Sequence, residues 1–143
     1  MSARKERLAP DTSVIVAAFA SWHESHAPAR EAMDQGVVLI AHCALETYSV
    51  LTRLPSPHRV GADVAAMFLR LRFSGDPLVL PASVQRSVVS RFAEAGVSGG
   101  AVYDGLIAAT ALHHGARLLT LDARAEPTYA RVGALFRRID ARG

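Results

Sequence analysis

Val37-Val38-Leu39-Ile40-Ala41 is a continuous apolar run, which is typical of a strand buried on both faces of a parallel sheet. Helical patterns flank this run: one spans 28–35 and stops at Gly36, and one spans 44–53 and stops before Pro55. The alternation continues, with strands predicted at 8–9, 77–81, 116–121 and 134–136 and helices at 13–20, 59–73, 83–95, 101–114 and 127–131. This order predicts an α/β fold of three layers (α/β/α) around a parallel sheet of four or five strands.

Length and composition favour one domain with a sizeable core. The chain has 143 residues, half of them apolar, so we expect a single domain over 1–143 that begins with a short basic tail at 1–7. No apolar run approaches the roughly 18–20 residues that cross a bilayer, and no secretory signal follows the tail. Cys43 is the only cysteine, which excludes an internal disulfide and favours the cytoplasm.

The charge permits a polyanionic partner without requiring one. The formal net charge is +3, from 16 basic and 13 acidic residues. All of the basic residues except Lys5 are arginine, and the guanidinium fork matches phosphate oxygens. An arginine bias also follows from genome base composition, and no basic block resembles a nucleic-acid-binding tail. Function therefore has to be inferred from particular positions.

Four acidic residues stand where a strand gives way to a helix or in the first turns of a helix: Asp11, Glu46, Asp104 and Asp122. In a parallel sheet these places converge outside the carboxyl ends of the strands. Carboxylates crowded there raise one another's pKa, and a hard divalent cation with oxygen ligands removes the repulsion. The pattern predicts a metal-dependent hydrolase.

Each acid also has a plainer structural interpretation. Asp11 precedes a helix and can cap it, although Thr12 or Ser13 can serve as the cap and leave the carboxylate facing the cleft. Glu46 suits the dipole at the start of a helix, and Asp122 suits a turn after a strand. Asp104 is the hardest to explain structurally, because it lies in an apolar, glycine-flanked helix start.

The predicted chemistry uses one or two Mg²⁺ or Mn²⁺ ions held by Asp11, Asp104 and Asp122. Such an ion lowers the pKa of bound water and stabilises charge building on a phosphate. Glu46 would position a second ion or orient the attacking water. Arg124, two residues past Asp122, is a predicted phosphate contact. Short hydroxyls beside the acids are expected to support the ligands: Thr12, Ser13 and Thr120.

The order and spacing of these short motifs resemble the PIN domain family, over residues 8–136. The motifs are Asp11-Thr12-Ser13 after the first strand, Glu46 in a helix start, Tyr103-Asp104 followed by Leu106-Ile107-Ala108-Ala109, and Leu119-Thr120-Leu121-Asp122. The chain size and the joint Trp22-His23-Glu24-Ser25-His26 further resemble the VapC-type toxins of bacterial toxin–antitoxin modules.

The resemblance implies a strand order of 3-2-1-4-5 and places Asp11, Glu46, Asp104 and Asp122 in the acidic site. It also implies a Mg²⁺-dependent endoribonuclease that acts on structured RNA such as tRNA or rRNA, a cognate VapB-type antitoxin that blocks the site, and a homodimer. The chain departs from the family pattern at Pro10, which predicts that the first strand ends there. A second departure is Glu126, close to a further acid of some relatives, and its role is left open.

Other functions fit the sequence less well. An aspartate-nucleophile phosphatase needs a second acid where this chain has Ser13, and a lysine near the site, whereas Lys5 lies in the tail. A phosphorylation receiver domain lacks the same lysine, and a P-loop NTPase lacks its glycine-rich motif. A catalytically silent RNA-binding or scaffold module on the same fold remains the alternative from another class, although such a module typically loses one or more of the four acids.

The helical stripe within 59–73 carries an apolar residue every three or four positions: Val60, Val64, Met67, Phe68, Leu71 and Phe73. We interpret this stripe mainly as core. A groove for a partner helix or for a second subunit is the alternative.

Overall fold

The computed structural model describes residues 6–139. Within them, three strands form a parallel sheet. The strands are β1 (Arg7–Pro10), β2 (Ala116–Thr120) and β3 (Phe136–Arg138), in the spatial order β1-β2-β3. Both pairs are parallel, with Pro10 opposite Leu119 and Leu118 opposite Phe136. The predicted parallel α/β class is confirmed.

Two further extended segments join the sheet through single parallel bridges rather than as strands. Val37 bridges Leu8 of β1, and Ile40 bridges Leu78. The strand predicted at 37–41 is therefore shorter than expected, because Ile40 already caps the next helix. Within residues 6–139 the strand count is three rather than four or five, and the order 3-2-1-4-5 and the three-layer arrangement stay predictions.

Seven helices are present in the described part of the chain: α1 (Thr12–Phe19), α2 (His26–Met33), α3 (Ala41–Thr52), α4 (Ala62–Arg72), α5 (Ala82–Ala95), α6 (Ala101–His113) and α7 (Glu126–Val132). Each corresponds to a predicted helix. The starts of two helices differ from prediction by three residues: α3 begins at Ala41 instead of Ala44, and α4 at Ala62 instead of Arg59. Glu46 therefore lies in the second turn of α3, within the first turns of the helix as the sequence predicts.

The first strand ends at Pro10, as the proline predicts. The Asp11 amide then donates to the Leu119 carbonyl at 2.9 Å, and α1 begins at the next residue. Asp11 itself caps α1, because its carboxylate accepts from the Val14 amide. The expectation that Thr12 or Ser13 caps this helix is wrong. Of the predicted basic tail, residues 1–5 lie outside the described residues, and Arg7 belongs to β1.

The main apolar core surrounds the sheet and anchors the elements that carry the acids. Its fully buried side chains include Val14 and Ile15 of α1, Ile107 of α6 and Leu118 and Leu119 of β2. Full burial of such side chains stabilises the fold by about 1.5–3 kcal/mol each. In the described part of the chain, no helix has the length and apolar character needed to span a bilayer.

Gly105 fixes the position of α6 and hence of Asp104. A Cβ atom built on Gly105 would lie 3.0 Å from the ring of Phe92 in α5, closer than side chains normally pack. Phe92 and Val97 are buried at this contact. The glycine therefore allows α6 to lie close to α5 one residue after the acid.

The apolar stripe of α4 is divided between core and surface. Phe68 packs against Phe19 of α1 with ring centroids 4.9 Å apart, and Phe73 is buried. Val64, Met67 and Leu71 are 51%, 49% and 73% exposed. The interpretation of the whole stripe as core is therefore wrong for these three residues, which form an apolar outer face.

Candidate active site

The four acids line one open cavity of about 960 Å³. Asp11 follows β1 and Asp122 lies just beyond β2, while Glu46 comes from α3 and Asp104 from the first turn of α6. The predicted convergence of these side chains at one edge of the sheet is thus observed. Thr12, Ser13 and Arg124 line the same cavity.

Asp11 is buried and held through both of its carboxylate oxygens. Oδ1 accepts from the Ser13 hydroxyl and from the Val14 amide, and Oδ2 accepts from the Tyr129 hydroxyl at 2.7 Å. Burial raises the pKa of Asp11, and the nearby hydroxyls of Ser13, Thr120 and Tyr129 oppose that rise. The carboxylate is fixed in orientation and keeps lone pairs for a further ligand.

Tyr129 is a site residue that the sequence did not indicate. It is buried in α7 and lines the cavity. Its hydroxyl hydrogen-bonds Asp11, which lies 118 residues earlier in the chain. Burial, followed by the Asp11 charge, raises the pKa of Tyr129 far above its ordinary value. The phenol therefore stays protonated and donates to Asp11. No spacing rule connects these two positions, because the contact depends on where the tertiary fold places α7.

Asp104 is a half-buried acid of the cavity whose ionisation is disfavoured by its surroundings. The pKa of its carboxyl is raised to about 6, first by burial and then by the charges of Glu46, Asp122 and Asp11. His42 acts in the opposite direction. The charges of the other three acids therefore all act on Asp104, as expected for a carboxylate that shares a site with others and has no compensating cation.

Glu46 is oriented by a hydroxyl and stands beside an aromatic pair. The Thr12 hydroxyl donates to Glu46 Oε1 at 3.0 Å. His42, one turn earlier in α3, places Nε2 at 3.9 Å from Glu46 Oε2, too far for a hydrogen bond. The His42 ring stacks on exposed Tyr103, with centroids 5.8 Å apart and 6° between the planes. Sequence reasoning missed His42, whose spacing of four residues from Glu46 in a helix was an available signal.

Ser13 links the ends of β1 and β2. Its hydroxyl donates to Asp11 and accepts from the Leu121 amide at 2.9 Å. Thr120 lies below the cavity surface, fully buried, and its hydroxyl accepts from the Asp122 amide at 2.9 Å. Asp122 Oδ1 accepts from the Arg124 amide, so this acid also serves the turn after β2. The predicted supporting hydroxyls all contact an acid or its backbone.

The donor set fits a hydrated divalent ion better than a closed metal cage. Carboxylate oxygens are the hard ligands that Mg²⁺ and Mn²⁺ prefer. Within residues 6–139, however, no three acidic, histidine or cysteine side chains form a ready-made metal-binding group. Mg²⁺ usually keeps several waters and takes one or two carboxylates together with substrate phosphates. The uncompensated charge around Asp104 is consistent with an ion of this kind.

Arginine side chains also line this cavity. Among the described residues, the guanidinium groups that line it come from Arg124 and Arg138. Glu126, whose role the sequence left open, does not line the cavity and instead pairs with Arg138 Nε. Sequence reasoning missed Arg138, because no motif connects the end of β3 to the acids.

The family model for the PIN domain matches residues 8–132. The chain therefore belongs to the PIN domain family. It is 51% identical to Ribonuclease VapC40 of Mycobacterium tuberculosis strain H37Rv, over 87% of this chain and 93% of that protein. It is also 41% identical to Ribonuclease VapC27 of the same strain, over 90% of this chain and 94% of that protein. The expected resemblance to the VapC type is confirmed.

Proposed function

We propose that this PIN domain is a Mg²⁺- or Mn²⁺-dependent endoribonuclease toxin. The observation that carries the proposal is the meeting of Asp11, Glu46, Asp104 and Asp122 at one cavity, where burial and then the other three charges raise the pKa of Asp104. The names of the VapC relatives support ribonuclease activity. Carboxylates arranged in this way suit phosphodiester hydrolysis by a metal-activated water.

The chain's own residues divide the work. Asp11, Asp104 and Asp122 would hold the ion, which when bound supplies an activated water and stabilises negative charge on the phosphate. Tyr129 and Ser13 keep the Asp11 carboxylate in one orientation through their hydrogen bonds. Glu46, oriented by the Thr12 hydroxyl, holds the attacking water by accepting a hydrogen bond from it.

The proposed substrate is structured RNA such as tRNA or rRNA, and a cognate VapB-type antitoxin would block the cavity. The guanidinium of Arg124 is a proposed phosphate contact. A homodimer, a single domain over 1–143 and a cytoplasmic location complete the proposal. The exposed apolar face of Val64, Met67 and Leu71 gives a protein partner a surface on which to pack.

The test is cleavage of a pool of tRNA and rRNA by the purified protein with Mg²⁺. Asp104→Asn should lower the initial rate by about 100-fold or more, since it removes a proposed metal ligand. Asp63→Asn is the matched control, because Asp63 is an exposed acid in the first turn of α4. Equal rates for wild type and Asp104→Asn, or full activity with a chelator, would contradict the proposal. RNA binding without cleavage would instead favour a catalytically silent module.

Toxicity is tested by induced expression in a bacterial host. Wild type should arrest growth, and Asp11→Ala should relieve the arrest because the buried carboxylate is lost. Immunoblotting must show equal amounts of both proteins. Equal arrest by both would indicate an effect that does not need the site.

A further inference from the structure

We propose that Arg138, held in place by Glu126, binds a backbone phosphate of the RNA at the mouth of the acidic cavity. This inference rests on the proposed ribonuclease function. It assigns a role to the acid that the sequence left open and to an arginine that the sequence did not single out. The two residues act as one unit, in which Glu126 orients Arg138 and Arg138 contacts the substrate.

The geometry of the ion pair leaves the guanidinium available to a ligand. Arg138 is the last residue of β3, and its Nε donates to Glu126 Oε2 at the start of α7. The side chain of Arg138 is 55% exposed and that of Glu126 only 20%. Within residues 6–139 the two terminal nitrogens of Arg138 have no hydrogen-bond partner. The inner edge of the guanidinium is therefore anchored, and its outer donors are unpaired among residues 6–139.

Anchored guanidinium groups suit phosphate. An arginine side chain has five N–H donors, and a bidentate grip on a phosphate uses two of them. The bond from Nε to Glu126 uses one, so the outer donors remain sufficient for that grip. Because Glu126 already restricts the side chain, less conformational entropy is lost when the phosphate binds.

The negative charge around the cavity favours a nearby cation that can attract the RNA. The lining carries five carboxylates, from Asp11, Glu24, Glu46, Asp104 and Asp122. A polyanion approaching this surface is repelled unless cations stand beside the acids. An ion pair at the protein surface whose arginine is exposed contributes little to stability, so a role in stabilising the fold does not explain it well.

The neighbouring arginine supplies a matched control. Arg137 precedes Arg138 in β3 and is also exposed, but it does not line the acidic cavity. Both arginines border a smaller neighbouring pocket beside Glu31, so what distinguishes them is that only Arg138 reaches the acidic cavity. Arg137→Gln and Arg138→Gln therefore make the same change in composition and net charge at two different places.

The experiment measures binding of fluorescently labelled, deacylated bulk tRNA, with Ca²⁺ replacing Mg²⁺ to suppress cleavage. Arg138→Gln should weaken binding by about tenfold and lower the slope of log Kd against log salt by about one. Arg137→Gln should change Kd by less than about twofold and leave the salt slope unchanged. Thermal melting should give both arginine variants nearly the same Tm as wild type, since both arginines are exposed and surface ion pairs contribute little to stability.

Glu126 is tested in a double-mutant cycle. Glu126→Gln should weaken binding less than Arg138→Gln does, because the cation stays but loses its anchor. The double variant should bind no more weakly than Arg138→Gln, since Glu126 acts only through the arginine. Additive losses would contradict the assigned role of Glu126.

The outcomes separate this inference from the proposed function. Equal effects of Arg137→Gln and Arg138→Gln, or none from either, would overturn the role of Arg138 even if Asp104→Asn abolishes cleavage. Full cleavage by Asp104→Asn would overturn the metal-dependent reaction while leaving the binding comparison interpretable. If wild type binds neither bulk tRNA nor rRNA, both conclusions fail.

Discussion

At the scale of single residues, Asp104 makes the stability of the metal-free protein depend on pH. The pKa of this carboxyl is 3.8 in an unconstrained chain and about 6 in the folded protein. The folded state therefore holds the proton more tightly, and the stabilisation is fully present below pH 3.8 and lost as pH rises through 6. We expect the free energy of unfolding to fall across this range in chelator, and Asp104→Asn to flatten the fall. Urea unfolding at several pH values measures both.

The control for that prediction is Asp63→Asn, which changes an exposed acid of α4 and should keep the wild-type pH dependence. A fall of the same steepness in Asp104→Asn and in wild type would mean that Asp104 ionises normally in the folded protein.

Tyr129 carries the second prediction at this scale. Tyr129→Phe removes the hydroxyl that donates to Asp11 at 2.7 Å. Hydrogen bonds to charged groups contribute about 1.5–3 kcal/mol, so we expect a loss of that order in the free energy of unfolding at pH 7. RNA cleavage should fall as well, because the Asp11 carboxylate loses one of its supports. Tyr48→Phe, on the exposed side of α3, should change the free energy of unfolding by less than about 0.5 kcal/mol. An equal effect of both variants would contradict the role of the Tyr129 hydroxyl in supporting Asp11.

The sequence predicted the residues whose position along the chain determines their position in space. Asp11 and Asp122 follow β1 and β2, and the convergence of parallel strand ends follows from topology alone. Tyr129 and Arg138 could not be found this way, because each reaches the cavity through the packing of α7 or β3. The cap of α1 was assigned incorrectly, since several residues able to cap stand side by side and only coordinates show that Asp11 is used.

At the scale of elements, α4 has a face packed on the core and an exposed face, and we expect substitutions on them to have different effects on stability. Phe68→Ala removes a ring packed against Phe19 and should cost about 2–4 kcal/mol of unfolding free energy. Met67→Lys changes the exposed outer face and should alter stability by less than about 0.5 kcal/mol. Urea unfolding compares the two neighbouring positions directly. A large loss from Met67→Lys would show that this face is covered in solution.

Strand extents were harder to predict than helix extents. Every predicted helix is present, because each has apolar periodicity and a recognisable stop such as Gly115 after α6. The run at 37–41 has the composition of a buried strand, but Ile40 is already the cap of α3 and only single bridges form. A short apolar run does not specify how many residues pair before the chain turns.

At the scale of the whole molecule, we expect a divalent ion to stabilise the fold. A ligand that binds only the folded state at 100 times its Kd adds about 2.7 kcal/mol to the free energy of unfolding. Mg²⁺ or Mn²⁺ should therefore raise Tm, and Asp104→Asn should lose most of that gain. Melting curves in chelator and in increasing ion concentration test this. A wild-type protein whose Tm does not respond up to millimolar concentrations would contradict the metal assignment.

The bond from Tyr129 to Asp11 joins an early part of the chain to a late one. During synthesis, β1 leaves the ribosome long before β2, α7 and the phenol of Tyr129 exist. The site can therefore be completed only after α7 has been synthesised, however early the segment that carries Asp11 folds.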